Sequence, residues 1–214
     1  GDCFNITASN IIIDGSGYYI IGNGTGRGIF SESDNVASNI TIKNFAGINN
    51  FTSGFDSGAK ANNLTIINNS FTTAADIGDN YYVEVQYNNT LITNNTFFGI
   101  SANAATEVLG ILGFGFFNVT IINNTFNLSD GNVGLSYEST IGGNITGNIF
   151  VSTSSGVAIS MAASSQNVSY ITNNIFTLDG NGAAITALSK VFVDSNNITT
   201  AVNGTIVADD SINS

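Results

Sequence analysis

The sequence is poor in the residues on which several classes of binding site depend. Its 214 residues contain no His, one Cys and four basic side chains, Arg27, Lys43, Lys60 and Lys190, against fifteen acidic ones. Zinc and copper sites use His and Cys ligands, so we expect no metal site of that kind. A nucleic-acid surface needs basic residues to neutralise phosphates, and the net charge of −11 excludes one. The same charge excludes binding to an anionic membrane surface.

Long apolar runs and cysteine pairs are also missing. No run of about 18 consecutive apolar residues occurs, so we predict no insertion into a membrane. Cys3 has no second Cys for an internal disulfide, so it is either a small buried residue or a bond to a neighbouring subunit. The chain opens with Gly-Asp-Cys-Phe, which is typical of a processed N-terminus. With 43% apolar residues, we expect residues 1–214 to form one domain.

What the sequence does contain is a repeat of about 26 residues. An apolar anchor follows an Asn by two positions six times, at Phe71, Phe97, Phe126, Phe150, Phe176 and Ile198. The preceding asparagines are Asn69, Asn95, Asn124, Asn148, Asn174 and Asn196. Phe45 and Tyr19 extend the series towards the N-terminus, with Lys43 and Gly17 in the place of Asn. A fixed period of this size indicates a stacked-repeat architecture.

The residues within one repeat alternate as they do in β-strands. In Asn63–Phe71 (NLTIINNSF), alternation places Leu64 and Ile66 inside and Asn63 outside, and Asn118–Phe126 (NVTIINNTF) repeats the pattern. Helix signals are absent, so we predict an all-β, single-domain, right-handed parallel β-helix of about seven to eight coils. Inside it, Phe45, Phe71, Phe97, Phe126, Phe150 and Phe176 would stack. The six repeat asparagines would form a hydrogen-bonded ladder with a purely structural role.

These strings carry a resemblance to a known group of proteins. NLTIINNSF, NVTIINNTF and NITIKNF (Asn39–Phe45) resemble the parallel β-helix repeats of the pectate-lyase-like superfamily. The opening segment, Cys3–Ile29, is especially similar to repeats of NosD-like and archaeal cell-surface β-helix proteins. The resemblance implies a right-handed helix. It does not select a function, because the fold carries lyases, hydrolases, adhesins and inert spacers alike.

Members of this superfamily that cleave polysaccharides use clustered carboxylates. The best cluster here combines Glu32 or Asp34 with Asp56 and Glu84, and only Lys60 is near enough in sequence to act as a base. Counting back from the following Phe places Glu32 and Glu84 in one column, two coils apart, with Asp56 slightly out of line. We interpret these carboxylates as solvated surface groups and predict no catalytic residues, no enzyme activity and no cofactor.

Two other motifs receive a structural interpretation. Calcium could be held by Asp76 and Asp79 or by Asp209 and Asp210, but neither pair lies in a ligand loop of recognised spacing, so we predict no metal. The glycine-rich segment at residues 22–26 is followed by no helical pattern, which favours a turn between coils over a phosphate loop.

The strongest functional signal is a set of fifteen N-x-S/T sequons, about twice the number that chance pairing gives. Their asparagines are Asn5, Asn23, Asn39, Asn50, Asn63, Asn68, Asn88, Asn94, Asn118, Asn123, Asn127, Asn144, Asn167, Asn197 and Asn203. N-[ILV]-T-I is also simply a good β-helix strand. Sugars would hydrate a chain with only 9% charged residues, and alternation places several of these asparagines outside. We therefore expect covalent N-linked glycans and an extracellular or cell-surface location.

These features predict a glycosylated structural protein. No capping helix precedes or follows the repeats, so we expect end-to-end stacking into a head-to-tail homopolymer, a filament or coat, or else a segment of a longer surface protein. A glycan-binding adhesin with a groove lined by Tyr81, Tyr82 and Tyr87 is an alternative, and a polysaccharide lyase or hydrolase is a weaker one. The apolar stretch Val108–Phe117 is either a lateral contact or an ordinary core strand.

Overall fold

The computed structural model describes most of the chain, and its elements are all β-strands. The described residues are 1–31, 37–58, 61–72, 80–99, 108–114, 117–128, 133–138, 141–153, 156–162, 168–179, 182–187, 190–200 and 206–208. Within them the chain forms twenty-five strands in three parallel sheets. Successive strands go to successive sheets, so each circuit of three strands makes one coil.

The three sheets are built in the same way. Sheet 1 contains β1 (Phe4–Ile6), β4 (Arg27–Ser31), β7 (Ser53–Ser57), β10 (Asn80–Val85), β13 (Val108–Phe114), β16 (Val133–Glu138), β19 (Val157–Ala162), β22 (Ala183–Ala187) and β25 (Ile206–Ala208). Sheet 2 contains β2 (Ile11–Asp14), β5 (Ile40–Lys43), β8 (Ala61–Ile67), β11 (Tyr87–Thr93), β14 (Phe117–Ile122), β17 (Ile141–Thr146), β20 (Ser169–Thr172) and β23 (Val191–Asp194). Sheet 3 contains β3 (Tyr19–Ile21), β6 (Gly47–Asn49), β9 (Ser70–Thr72), β12 (Thr96–Phe98), β15 (Thr125–Leu128), β18 (Ile149–Ser152), β21 (Ile175–Leu178) and β24 (Asn197–Thr200).

The fold class predicted from the sequence is confirmed. The molecule is an all-β parallel β-solenoid with a period of about 26 residues. Its sheets hold nine, eight and eight strands among the described residues, which is eight coils and a ninth strand in sheet 1, a slight difference from the predicted seven to eight coils. Neighbouring strands in such a stack lie about 4.8 Å apart, and that distance is the rise of each coil.

The core lies in the channel that the three sheets enclose. Leu64 and Ile66 of β8 are fully buried, and Asn63 of the same strand is exposed, as the alternation predicts. The equivalent residues of β14, Val119 and Ile121, are buried as well. The binary pattern of each strand therefore assigns alternate residues to the core and to the surface.

A column of phenylalanine rings fills the channel beneath sheet 3. Phe71, Phe97, Phe126, Phe150 and Phe176 occupy the same register position in consecutive coils. Their rings stack nearly parallel, with centroid separations of 5.2, 4.7, 4.7 and 5.0 Å. Ile198 continues the column at the C-terminal side of Phe176. Offset stacking adds to the burial of these rings, so the column contributes more than its area alone.

The repeat asparagines form the predicted ladder beside this column. In each step, the Oδ1 of one Asn accepts from the backbone N–H and from Nδ2 of the Asn one coil earlier. Each Nδ2 also donates to the carbonyl of an isoleucine in the preceding coil. Asn69, Asn95, Asn124, Asn148 and Asn174 are buried, so these bonds satisfy polar groups that water does not reach.

The prediction that Phe45 and Tyr19 extend the column of apolar anchors towards the N-terminus is wrong. Ile48, not Phe45, pairs with Phe71 in the register of sheet 3, and Ile20 pairs with Ile48. Phe45 lies at the foot of the asparagine ladder, where its backbone N–H donates to Oδ1 of Asn69 at 3.1 Å. Tyr19 is 61% exposed and is not part of the column. One extra residue lies between Phe45 and Ile48 compared with Asn69 and Phe71, and this insertion shifts the anchor.

Candidate functional site

The sequon asparagines are on the outside of the solenoid. Of the thirteen that the structure describes (all but Asn167 and Asn203), none is buried. The exposed ones are Asn5, Asn23, Asn39, Asn63, Asn68, Asn94, Asn118, Asn123, Asn127, Asn144 and Asn197, and the half-buried ones are Asn50 and Asn88. The buried ladder asparagines have Phe or Ile two positions later, and none of them begins a sequon. Among the described residues, a Ser or Thr two positions after an Asn therefore occurs only at asparagines that are not buried.

One group of sequon asparagines lies in the turn between sheets 2 and 3. Asn68, Asn94 and Asn123 adopt positive φ values of 56°, 55° and 56°. Asn tolerates this left-handed conformation better than most residues. The turn needs this conformation because the alternation of core-facing and surface-facing side chains is interrupted there. Each is followed directly by a ladder asparagine. The Asn-Asn dipeptide is the sequence signal for this turn, and sequence reasoning did not use it.

A second group lies at the N-terminal part of the sheet 2 strands, where Asn39 directly precedes β5 and Asn63 and Asn118 lie within β8 and β14. Asn39, Asn63 and Asn118 have φ values of 58°, 60° and 57°. Their side chains form an outer ladder: Asn39 Nδ2 donates to Asn10 Oδ1 at 2.8 Å, and Asn63 Nδ2 donates to Asn39 Oδ1 at 2.8 Å. Asn118 Nδ2 donates to Asn89 Oδ1 at 3.0 Å. This exposed ladder orients the amide groups on which sugars would be attached.

An open groove of about 360 Å³ lies beside the outer ladder on coils 1 to 3. Its lining includes Asn10, Ile12, Asn39, Thr41, Asn63 and Thr65. Ile12 is 67% exposed, whereas the residues that follow it in the same column are Thr41 and Thr65. The groove is thus lined mainly by asparagines and threonines, with one exposed aliphatic side chain, Ile12.

Arg27 binds carboxylates of the two neighbouring coils. Its guanidinium binds Asp2 at 2.9 Å and reaches Asp56 at 3.5 Å, and it lies 3.9 Å from the ring centroid of Phe30. The Arg27 backbone N–H also donates to Asp2 Oδ1 at 2.8 Å. Hydrogen bonds from Arg27 lower the pKa of Asp2 below its ordinary value. This cluster ties the first coil to the third across the edge of sheet 1.

Asp56 and Glu84 are direct neighbours on adjacent strands of sheet 1. Burial raises the pKa of Asp56, although the Arg27 charge opposes the shift. Burial, together with the negative charge of Asp56, raises the pKa of Glu84. The predicted column of Glu32 and Glu84 was wrong, because the residue two coils before Glu84 in its column is Phe30.

The structure does not describe the other residues singled out for chemistry. Glu32, Asp34, Lys60, Asp76, Asp79, Asp209 and Asp210 lie outside the described residues. Within the described part of the chain, no group of three or more His, Cys, Asp or Glu side chains could hold a metal ion. The prediction that the chain has no catalytic residues stays a prediction.

The tyrosine groove considered for an adhesin does not exist as such. Tyr82 and Tyr87 are 1% and 0% exposed, and the Tyr82 hydroxyl donates to the carbonyl of Phe98 inside the solenoid. The side chain of Tyr81 lies outside the described residues. Both described tyrosines are therefore core residues, and neither can stack against a ligand from solvent.

The remaining motifs have ordinary positions in the fold. Residues 22–26 form the turn between the first and second coils, where Asn23 and Thr25 contact the Gly1 amino group. Cys3 is exposed rather than buried. β13 in the apolar stretch pairs with β10 and β16, which makes it an internal strand of sheet 1. Among the described residues there is no helix with the length and apolar character that crossing a membrane requires.

Comparisons of the chain with family models, with curated proteins and with solved structures found no match. Any functional proposal therefore rests on the fold and on the positions of the surface residues.

Proposed function

We propose that this chain is an extracellular or cell-surface structural protein that carries N-linked glycans on the outside of a β-solenoid. One observation supports this most strongly: every described sequon asparagine reaches the surface, while the buried asparagines lack sequons. A glycan attached to a buried Asn would prevent folding. The sequence thus keeps its modification motifs away from the positions where a sugar could not fit.

The solvation of the surface also supports glycosylation. Only 9% of the residues are charged, and several large apolar side chains are exposed, among them Ile12, Ile21 and Tyr170 at 67%, 71% and 51%. A surface with few charges tends to associate. Sugars on the outer turns would supply hydration that the side chains do not.

N-glycosylation is a nucleophilic substitution at C1 of the sugar by the side-chain amide nitrogen of Asn. A lipid-linked oligosaccharide, the sugar donor used by N-glycosylating cells, is the required co-reactant. The Nδ2 of the sequon Asn attacks C1 of the first sugar and forms the N–C bond, while the C1–O bond to the lipid pyrophosphate breaks. The lipid pyrophosphate leaves with the electron pair, and Nδ2 loses one proton to a base. One Nδ2 hydrogen remains on the modified asparagine.

The proposed role is that of a building unit in a filament or coat. Among the described residues, β1, β2 and β3 lie at one end of the three sheets and β25, β23 and β24 at the other, and edge strands pair readily with further strands. Around β1, β2 and β3 the exposed apolar residues include Phe4, Tyr18 and Tyr19, at 41%, 75% and 61%. A head-to-tail contact between copies that does not close on itself produces a filament. The partner in this proposal is a second copy of the chain.

Intact-mass spectrometry of protein from its native source tests the proposed glycosylation. The unmodified chain has a mass of 22.2 kDa, so we expect a heterogeneous mass above it, with the additions located on sequon asparagines by peptide analysis. The matched control is the same chain produced in bacterial cytoplasm, which should give 22.2 kDa. A native mass equal to that of the control contradicts the proposal.

Electron microscopy of the same two preparations tests the assembly. We expect native protein to form rods or filaments with an axial repeat set by the stacked coils. A native preparation that contains only monodisperse monomers would contradict the proposed filament. The proposed glycosylation would then be tested by mass spectrometry alone.

A further inference from the structure

The outer turns hold sequon asparagines that are direct neighbours in the stack. Ile40 pairs with Leu64 in sheet 2, so Asn39 and Asn63, which precede them, occupy the same position in consecutive coils. The same holds for Asn68, Asn94 and Asn123, because Ile67 pairs with Thr93 and Thr93 with Ile122. Members of either column lie about one strand spacing apart, roughly 4.8 Å.

The outer ladder makes the amides of Asn39 and Asn63 parallel. Asn39 Nδ2 donates to Asn10 Oδ1 and Asn63 Nδ2 donates to Asn39 Oδ1, both at 2.8 Å. Each bond uses one of the two Nδ2 hydrogens, and glycosylation replaces the other. Sugars on both residues would therefore leave the protein in the same direction, one strand spacing apart.

Both attachment points open onto the same space. Asn39, Asn63, Thr41 and Thr65 all line the groove of about 360 Å³. A groove of this size is at the lower end of those that hold small ligands. A pyranose ring with its equatorial substituents is wider than the spacing of two strands, and branching increases the width of the chain further.

Resting on the glycosylation proposed above, we propose that Asn39 and Asn63 share one glycan: in the folded protein, one of the two is modified and the other is bare. The sugar occupies the common groove and covers Ile12. The same exclusion applies to the neighbours in the other column, so Asn94 is bare in any molecule that carries a sugar on Asn68 or Asn123. The number of glycans is therefore smaller than the number of sequons.

Two threonine variants test the shared site without disturbing the outer ladder. Thr41→Ala removes the sequon of Asn39, and Thr65→Ala removes that of Asn63, but both leave the asparagine amides in place. The full chain is produced in a glycosylating host, and the folded, soluble fraction is analysed. We expect Thr41→Ala to raise the occupancy of Asn63 and Thr65→Ala to raise that of Asn39. Thr146→Ala, which removes the sequon of Asn144 outside both turn columns, should change neither.

The glycans on a single molecule can be counted directly. Cleavage after glutamate in the denatured protein releases residues 33–84 as one peptide that contains Asn39 and Asn63 together with the sequons of Asn50 and Asn68, so fragmentation of the peptide assigns each sugar to its asparagine. We expect no wild-type peptide with both asparagines modified. Peptides in which Asn39 and Asn63 are both modified would overturn the shared site. Protein with sugars on other sequons but on neither of these two asparagines would also overturn it. A chain without any sugar would instead contradict the glycosylation proposed above, so the two failures are distinguishable.

Discussion

Oδ1 of Asn174 accepts two hydrogen bonds from Asn148, one from the backbone N–H at 2.9 Å and one from Nδ2 at 3.1 Å. Both residues are fully buried. The single oxygen thus satisfies a backbone group and a side-chain group of the coil before it, in a place where water cannot do so. This relationship repeats along the ladder and explains why Asn occurs at the position in successive coils.

Asn148→Ala should therefore destabilise the solenoid. The substitution removes the acceptor of the Asn124 backbone N–H and the donor to the Ile121 carbonyl. Each buried group left without a partner costs about 1–3 kcal/mol, so we expect a loss of roughly 2–4 kcal/mol in the free energy of unfolding. Guanidinium denaturation of bacterially produced protein measures it. Asn144→Ala, on the exposed face of the same coil, is the control and should change stability by less than about 0.5 kcal/mol.

Phe126→Ala should be among the most damaging substitutions in the core. Its ring lies 4.7 Å from the rings of both Phe97 and Phe150, and the side chain is fully buried. Replacing a buried Phe by Ala costs about 3–5 kcal/mol, because the cavity cannot be filled from either side. Phe98→Ala removes a neighbouring ring that is 40% exposed and should cost about 1 kcal/mol. Equal losses in the two variants would contradict a stacked core column.

Gly134→Ala and Gly143→Ala should have opposite effects. A Cβ on Gly134 would lie 2.6 Å from the carbonyl oxygen of Ala158 in the next coil, and backbone cannot move aside easily. We expect a loss of about 1–3 kcal/mol. A Cβ on Gly143 meets no atom closer than 3.4 Å, so there Ala should be neutral or stabilise by up to about 1 kcal/mol through the unfolded chain. Thermal unfolding of the two variants distinguishes a required glycine from an incidental one.

Glu84→Gln should change the pH dependence of stability above about pH 4.5. The folded pKa of Glu84 lies above its ordinary value of 4.5, so the unfolded chain releases its proton first as pH rises. Ionisation of Glu84 therefore lowers stability as pH rises from about 4.5 through the folded pKa. The variant should match wild type near pH 4 and exceed it near pH 7. A variant that is less stable than wild type at neutral pH would contradict this assignment.

Asp14→Asn should show the opposite sign. Hydrogen bonds from the Ser16 backbone and the Asn44 side chain, together with Lys43, lower the pKa of Asp14 to about 2. A lowered pKa adds stability above the ordinary value of 3.8, and this contribution is lost as pH falls towards 2. Wild type and variant should therefore converge near pH 2 and diverge above pH 4, with wild type the more stable. Urea denaturation at several pH values measures the difference.

The sequence predicted what depends on alternation and failed where turn lengths change. Leu64, Ile66 and the ladder from Asn69 onward follow from the two-residue period, and the structure confirms them. The distance from Asp56 to Leu64 is two residues longer than that from Glu84 to Thr90, although both pairs are in register. Counting back from the following Phe therefore misaligned the carboxylates. Turn length is set by local backbone geometry, which apolar spacing does not report.

The sequence did not predict the outer ladder, for a different reason. Alternation alone assigns Asn63 and Asn118 to the surface, but it does not show that their side chains bond to asparagines of the preceding coil or that their φ values are positive. The left-handed turn decides both, and its signal is the choice of Asn where other polar residues would also be exposed. The two kinds of asparagine differ in backbone conformation as much as in burial.

The inner ladder also fixes an order of events during folding. Each Oδ1 belongs to one coil but completes the turn of the coil before it, from the Phe45 N–H at one end to the Asn174 N–H at the other. A coil is therefore finished only when its successor has been laid upon it. In a chain that folds as it emerges from the ribosome, we therefore expect the hydrogen bonds of each turn to form only after the next coil is in place. The solenoid then grows one coil at a time, and each new coil stabilises the one before it.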